Sequence, residues 1–349
     1  MTAQLAVHPL SRSSPVGSSP TAWGAGAVVG PRSIHVAALD EQGHVVWDER
    51  SPVPADPLGP DSVWGSLADA LRRLAATAAG SSSTLVGLTL VLPGLLDTRR
   101  GLLHDPGGRQ PPVLVQEQLS RQVSLPQLRI RLLGQGLLTA SAEAALTQDR
   151  AAGVLCYLAA DGDVVFGAVA EGQALSGAAG LAGQVGHLPL DPLGHECTCG
   201  RRGCWATVIS LPALLRRATD SDDPVRDPAL DAEAQTREIE RRALLDDDRT
   251  RSALAETGQA LGLGAAVLGQ VLGPDVVVLG GYLGRLLPYL LPGCEAACRG
   301  HGIRHARHPV RFEASAVDDR ALVRRAAHRS LSSTDHRDPE AAGSIADER

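Results

Sequence analysis

Apolar positions along the chain change period in a regular way, and those changes mark out its elements. Ala25–Val29 and Ile34–Leu39 are short β-prone runs either side of Gly30–Pro31, and Val45–Asp48 follows the turn Glu41–Gln42–Gly43. Three strands in succession predict a meander. In Asp61–Ala79, Val63, Leu67, Leu71 and Leu74 recur at helical spacing, and Leu85–Val91 is a nearly continuous apolar strand that stops at Pro93–Gly94. Leu128–Leu133 reads as a further strand and Leu138–Thr147 as an Ala-rich helix. The pattern then restarts. Gly153–Ala159 and Val164–Glu171 are strands around Asp161–Gly162, followed by a glycine-rich stretch ending at Gly186. Leu211–Ala218, Glu233–Leu245 and Ser252–Leu272 read as helices, the last running into the strand Val276–Leu279. After Gly280–Gly281 another helix continues to about Arg299. Two rounds of meander, helix and buried strand predict a duplicated α/β architecture with its ligand in the cleft between the halves.

The flanks carry no such period. Residues 1–22, rich in Ser, Pro and Thr, and residues 331–349, polar and charged, both read as disordered tails. The expected division is an N-terminal half over 23–126, completed by a helix near 316–330, and a C-terminal half over 127–315. Asp220–Asp248 is strongly acidic and reads as a solvated surface excursion.

Composition narrows the function classes. All 33 basic residues are Arg, with no Lys, against 39 acidic residues, for a net charge of −6. Without a basic excess, nucleic acid is a poor default partner. No apolar run reaches the ~18 residues of a membrane span, and the N-terminus lacks the basic and apolar segments of a secretory signal. Three of the six cysteines fall within eight residues. That spacing fits metal binding in a reducing compartment, the cytoplasm, better than a disulfide framework.

The chemistry-bearing segment runs from Gly183–Gln184–Val185–Gly186–His187 to Cys197–Thr198–Cys199–Gly200–Arg201–Arg202–Gly203–Cys204. Three thiolates and an imidazole form a complete tetrahedral set for Zn²⁺, and Gly200 and Gly203 allow the reversal that returns Cys204 to the same ion. His187, Cys197, Cys199 and Cys204 leave no coordination position open, so the metal is expected to be structural. Cys156 reads as a core residue, and Cys294 and Cys298 as ordinary helix thiols.

This segment resembles the signature of the ROK family of repressors, open reading frames and sugar kinases. The resemblance extends over about Trp23–Arg329. Ile34–Asp40 with Gly43 resembles the family's opening hairpin, Pro93–Gly94–Leu95–Leu96–Asp97 its Pro-Gly turn, Gly177–Gly186 its glycine-rich approach to the histidine, and Pro274–Gly281 its adenosine-side motif. It implies two actin-like, ribonuclease-H-like α/β domains of the sugar-kinase type, a zinc knuckle, a sugar ligand and homo-oligomers. Gln184 and His187 would face the sugar, and Gly162, Gly280 and Gly281 a nucleotide.

Active members need a general base, a metal site and a phosphate cradle, and here the motif positions depart from the family's. Val28, Gly30, Pro31 and Arg32 stand at the first phosphate loop, without its acidic residue. Aligned through Ala144–Ala145–Leu146, the catalytic Asn-Asp pair falls on Thr139 and Ala140. Ala160–Asp161–Gly162–Asp163–Val164 stands at the second phosphate loop. Gln184, Ala206 and Gly107 replace a Glu, a Glu and an Asn of the sugar-contacting set. These losses leave ATP and Mg²⁺ without their usual ligands and point to a catalytically silent sugar-binding, regulatory or scaffold protein. Two other readings are an ATP-dependent hexose or N-acetylhexosamine kinase that uses Glu143, otherwise a helix-surface carboxylate, or Asp161 as its base, and a transcriptional regulator. The few residues ahead of the first strand make direct DNA contact an unlikely expectation.

Overall fold

The structure is a computed structural model, which describes residues 21–30, 33–53, 63–105, 110–125, 128–146, 153–301 and 310–331. Its first half comprises β1 (Thr21–Val29), β2 (Ser33–Leu39), β3 (Val45–Pro52), α1 (Val63–Gly80), β4 (Ser83–Leu92), β5 (Leu95–Asp97), β6 (Leu102–His104), β7 (Val113–Leu114), α2 (Val115–Gln122) and β8 (Arg129–Gly134). Then come α3 (Gln135–Ala144), β9 (Val154–Ala159), β10 (Val165–Ala170), β11 (Gln173–Ala174), α4 (Ala206–Ile209), α5 (Leu211–Ala218), α6 (Ala232–Leu244) and α7 (Asp248–Val271). The chain continues through β12 (Val276–Leu279), α8 (Gly281–Arg285), α9 (Leu287–His301), β13 (Arg311–Ala314) and α10 (Asp319–Leu331).

Two five-stranded sheets have the same topology. The first runs β3-β2-β1-β4-β8 and the second β11-β10-β9-β12-β13. In each, an antiparallel meander is extended by two parallel strands. The duplication read from the sequence is therefore real.

Strand alternation explains how each sheet is covered on both faces. Ala25, Ala27 and Val29 of β1 pack with Leu67, Leu71 and Leu74 of α1. The intervening Gly26 meets α10, where a Cβ would lie 2.3 Å from the Val323 carbonyl oxygen. Val28 joins Leu322, Val323 and Ala326 on that same face. The C-terminal helix therefore docks on strand glycines roughly three hundred residues away.

Two boundaries differ from the sequence reading. Strand β1 starts at Thr21, which pairs with Ser83, so the expected tail ends before Thr21 rather than after Ala22. Residues 1–20 and 332–349 lie outside the described residues. Strand β8 pairs with β4 in the first sheet, so a division at 126/127 cuts that sheet one strand short. The cause is that β8 is only partly buried and carries Arg129 and Arg131, which hides its sheet membership in the sequence.

The acidic excursion is also more than a solvated loop. Val225, Ile239 and Ala243 are buried in the core of the second half. Asp231 and Asp247 cap α6 and α7 by accepting from Ala234 N and Thr250 N. Asp223 pairs with Arg242 at 2.6 Å. Local capping and pairing engage most of the acids, while a sparse apolar stripe closes the core.

Candidate functional site

The residue types that predicted a metal site converge in space. His187 ends a short 3-10 turn, Val185–His187, and the three cysteines lie on a β-like hook. The hook is held by bridges between Pro189 and Cys204 and between Glu196 and Arg202. Within it Cys197 N donates to the Arg201 carbonyl at 2.7 Å, and Gly200 N to the Cys197 carbonyl at 2.9 Å. Gly203 has a φ of +69°, and a Cβ there would sit 1.5 Å from the Asp191 carbonyl oxygen, so the hook closes only with glycine at that position.

His187 Nδ1 lies 3.7 Å from Cys197 Sγ, and Cys199 Sγ 3.7 Å from Cys204 Sγ. The four ligand atoms all fall within 4.8 Å of one another. A tetrahedron with Zn–S bonds of ~2.3 Å has edges of ~3.8 Å, so the spacing suits a metal such as zinc and is far too long for a disulfide. The electrostatics agree. Burial, then the neighbouring Cys199 and Cys197 sulfurs, pushes the Cys204 thiol up to about 12. At Cys199 burial acts upward but is outweighed by hydrogen bonds from Arg201 and the sulfurs of Cys197 and Cys204, bringing it down to about 7. His187 is lowered by burial and then by Arg201, which favours the neutral, ligating imidazole. Three crowded thiols resist joint deprotonation unless a cation sits among them.

The hook is anchored by a residue the sequence reading passed over. Trp205, directly after Cys204, is fully buried, and its Nε1 donates to the Ala260 carbonyl at 2.9 Å. Its ring lies against Gly264 of α7. An indole following the last cysteine, in a chain with four tryptophans, was the available signal.

His187 also lines a cleft of about 1620 Å³ between the two sheets. Gln184, Gly186 and Ala206 join it from the second half, and Pro93, Gly94 and Thr98 from the first. The halves touch across it, where Thr98 N donates to the Ala179 carbonyl at 2.9 Å. The structure thus brings Gln184 and His187 together in one cavity. Ala206 faces it without a polar group.

The other expected positions lie elsewhere. Gly162, Gly280 and Gly281 are not among the cleft-lining residues. Gly162 has open space at its Cα. At Gly280 a Cβ would meet the Tyr157 hydroxyl at 2.0 Å, and at Gly281, with φ +54°, the Asp161 carboxylate at 2.0 Å. Asp161 Oδ1 accepts from Tyr282 N at 2.7 Å, so a carboxylate of the chain itself occupies the start of α8. Burial pushes the Asp161 carboxyl above its ordinary range, Asp319 adds to the rise, and the Tyr282 N–H opposes it.

Ala140 is 0% exposed and packs with Tyr157 and Ala144 in the core behind the cleft. Neither it nor Thr139, whose hydroxyl donates to the Gln135 carbonyl, reaches the cavity. Helix α3 begins three residues earlier than its apolar pattern predicts, and Gly134, Gln135 and Gly136 at its start line the cleft instead. Gly136 hid this start because glycine reads as a loop. It is required because a Cβ would lie 2.1 Å from the Phe166 carbonyl oxygen. Glu143 is likewise no surface carboxylate. It is 0% exposed and accepts from Ser315 Oγ at 2.5 Å, Ala316 N at 2.9 Å and Val317 N at 3.1 Å. Pro31, Arg32 and Gly107 lie outside the described residues.

The model of the ROK family matches residues 25–328. The chain belongs to the ROK family. Its glucokinase relative in Halalkalibacterium halodurans is 30% identical over 208 residues, 57% of this chain and 59% of that protein. The xylose repressor of Bacillus subtilis is 22% identical over 242 residues, 69% of this chain and 59% of the repressor. Both matches span less than two thirds of the relative's own length. A solved ROK family transcriptional regulator, a homologue of the Escherichia coli Mlc protein, superposes with a TM-score of 0.72 at 19% identity, covering 90% of this chain and 78% of that one. At that identity the likeness speaks for the fold, and the two α/β halves are those of the ROK fold. Enzymes and repressors share this framework, so only the residues of the cleft separate the readings. Among the described residues no helix is long and apolar enough to cross a membrane.

Proposed function

We propose that this ROK protein binds a sugar in its cleft without phosphorylating it, and serves as a regulatory or scaffold protein built on a structural Zn²⁺. The observation that carries the reading is Asp161. Its carboxylate already holds the Tyr282 N–H and fills the space over Gly281, where the family resemblance would put a nucleotide. A phosphate brought there would meet a like charge. The start of α3 supports the same reading, since it offers the cleft an amide, Gln135, between two glycines. An amide does not accept a hydroxyl proton at neutral pH. Gln184 and His187 remain to hydrogen-bond sugar hydroxyls.

The test is ligand-dependent melting with a panel of hexoses and N-acetylhexosamines, with and without ATP–Mg²⁺, beside a coupled ADP-release assay. A shift with sugar alone, no added shift from ATP and no turnover is the expected result. Turnover at or above ~1 s⁻¹, the low end for kinases, overturns it. A second reading, a sugar kinase, is favoured by two carboxylates that do line the cleft, Asp105 and Asp163. If turnover is found, D105N and D163N identify which of them serves as base.

The Zn²⁺ is assigned to His187, Cys197, Cys199 and Cys204, closed by four protein ligands and therefore without a catalytic water. Metal analysis of the purified chain is expected to give about one Zn²⁺ per chain. C199S should lose it together with cooperative unfolding, because ligand assembly and folding are coupled. A zinc-free chain that melts cooperatively at the same temperature refutes the assignment.

A further inference from the structure

The cleft holds more space and more charge than a neutral hexose uses. Its volume of about 1620 Å³ exceeds the ~300–1,000 Å³ usual for small-molecule sites. Five arginines line it, Arg99, Arg100, Arg131, Arg325 and Arg329, against the two carboxylates Asp105 and Asp163. They come from three places in the first half: the turn between β5 and β6, the strand β8 and the helix α10. A single helix face does not account for them.

Elsewhere in this chain arginines commonly sit beside a carboxylate. Arg242 pairs with Asp223 and Glu238, Arg249 with Asp220, and Arg285 with Glu240. In the cleft three of the five arginines depart from that pattern. Among the described residues Arg100, Arg131 and Arg325 make no ion pair, and the Arg131 guanidinium donates only to the Arg329 carbonyl, at 3.3 Å. Cations left without counter-ions in a walled cavity focus a positive potential on whatever enters. Guanidinium groups also match the planar oxygen pairs of phosphate and carboxylate.

We infer that the cleft takes an anionic carbohydrate, a sugar ring that carries a phosphate or a carboxylate. The inference rests on the sugar-binding reading: Gln184 and His187 meet the ring, and the arginines meet its charge. A nucleotide is the poorer fit to the same field, because Gly162, Gly280 and Gly281 lie off the cleft and Asp161 fills the glycine pair.

Isothermal titration of the full-length, zinc-loaded protein tests this with glucose, mannose and N-acetylglucosamine, their 6-phosphates, glucuronate and inorganic phosphate. At least one anionic sugar is expected to bind about tenfold or more tighter than its neutral parent, the range of a charge-assisted hydrogen bond. That preference should fall as salt rises. The 6-phosphate and glucuronate arms separate the two sources of charge. In R100Q/R131Q the preference should drop to within about threefold, with the neutral parent's affinity unchanged. Arg100 is exposed on its turn, so R100Q alone keeps the test valid if the β8 substitution impairs folding, and it should lower the preference on its own. A neutral sugar that binds as tightly as its anionic form overturns the inference and leaves the sugar-binding reading standing. Inorganic phosphate binding as tightly as the sugar phosphates also overturns it, since the arginines would then select no sugar. If no sugar binds, charged or neutral, the underlying sugar-binding reading fails first.

Discussion

Single carboxylates in this chain take their roles from their surroundings. Glu143 is sealed between α3 and the segment that enters α10, with one hydroxyl and two backbone N–H groups donating to it. E143A strips those donors of their acceptor in a buried place, so unfolding in urea should show a loss of about 3 kcal/mol. A loss below ~0.5 kcal/mol, typical of surface substitutions, would return Glu143 to the surface role its sequence position suggests. Asp161 makes the opposite case. Burial raises its pKa above the unfolded value, so the folded protein holds this proton more tightly than the unfolded chain does. Its contribution is fully present below the unfolded pKa of ~4 and is lost as pH rises through the raised native value. D161N keeps an oxygen for Tyr282 N and cannot ionise. It should therefore melt above the parent at pH 7, with the difference closing toward pH 4. A difference that instead widens on acidification contradicts the assignment.

At the level of elements, close approach decides where helices sit. Helix α7 passes over the metal hook at Gly264, where a Cβ would stand 2.1 Å from the Trp205 ring. G264A should cost about 1–3 kcal/mol by overpacking, and because Trp205 adjoins Cys204, zinc release to a chelator should quicken as well. Unchanged stability and unchanged release would mean that the ring is free to move aside. Gly136 on α3 and Gly167 on β10 form a similar contact, Gly136 lying against the Phe166 backbone and Gly167 against the Gly136 backbone. That contact fixes the start of α3 at the cleft and delivers Gln135 there. The sequence presents the same glycine as a loop residue, which is why the helix start at the cleft is not legible from the apolar pattern.

Across the whole molecule the two halves depend on segments remote in sequence. Helix α10 covers the face of β1 that carries Gly24 and Gly26, and Ser330 lies against Gly87 of β4. A chain ending at Asp318 would expose Val28, Ala37 and Val91, which pack with Leu322, Val323 and Ala326. That truncation should remove cooperative melting of the first half and promote aggregation, read by calorimetry and light scattering. A truncated chain that melts as the full one does would show that α10 is dispensable. The five arginines that meet in the cleft also come from 99–329, a separation no local pattern reveals.

The sequence by itself determined the features that rest on local chemistry. Period-2 and helical apolar patterns set the elements and their duplication, because each strand and helix must hide one face or both. Ligand type and short spacing set the cluster of His187 with Cys197, Cys199 and Cys204, because a hook of eight residues brings its three thiols together. Tertiary structure alone decided which residues share a cavity. Gln184 and His187 meet Gln135 and the arginines there, while Ala140 and Glu143 are turned into the core and Asp161 is spent on the start of α8. The physical reason is that burial and partnership are properties of contacts between distant segments, and a side chain's charge has no fixed meaning until those contacts are made.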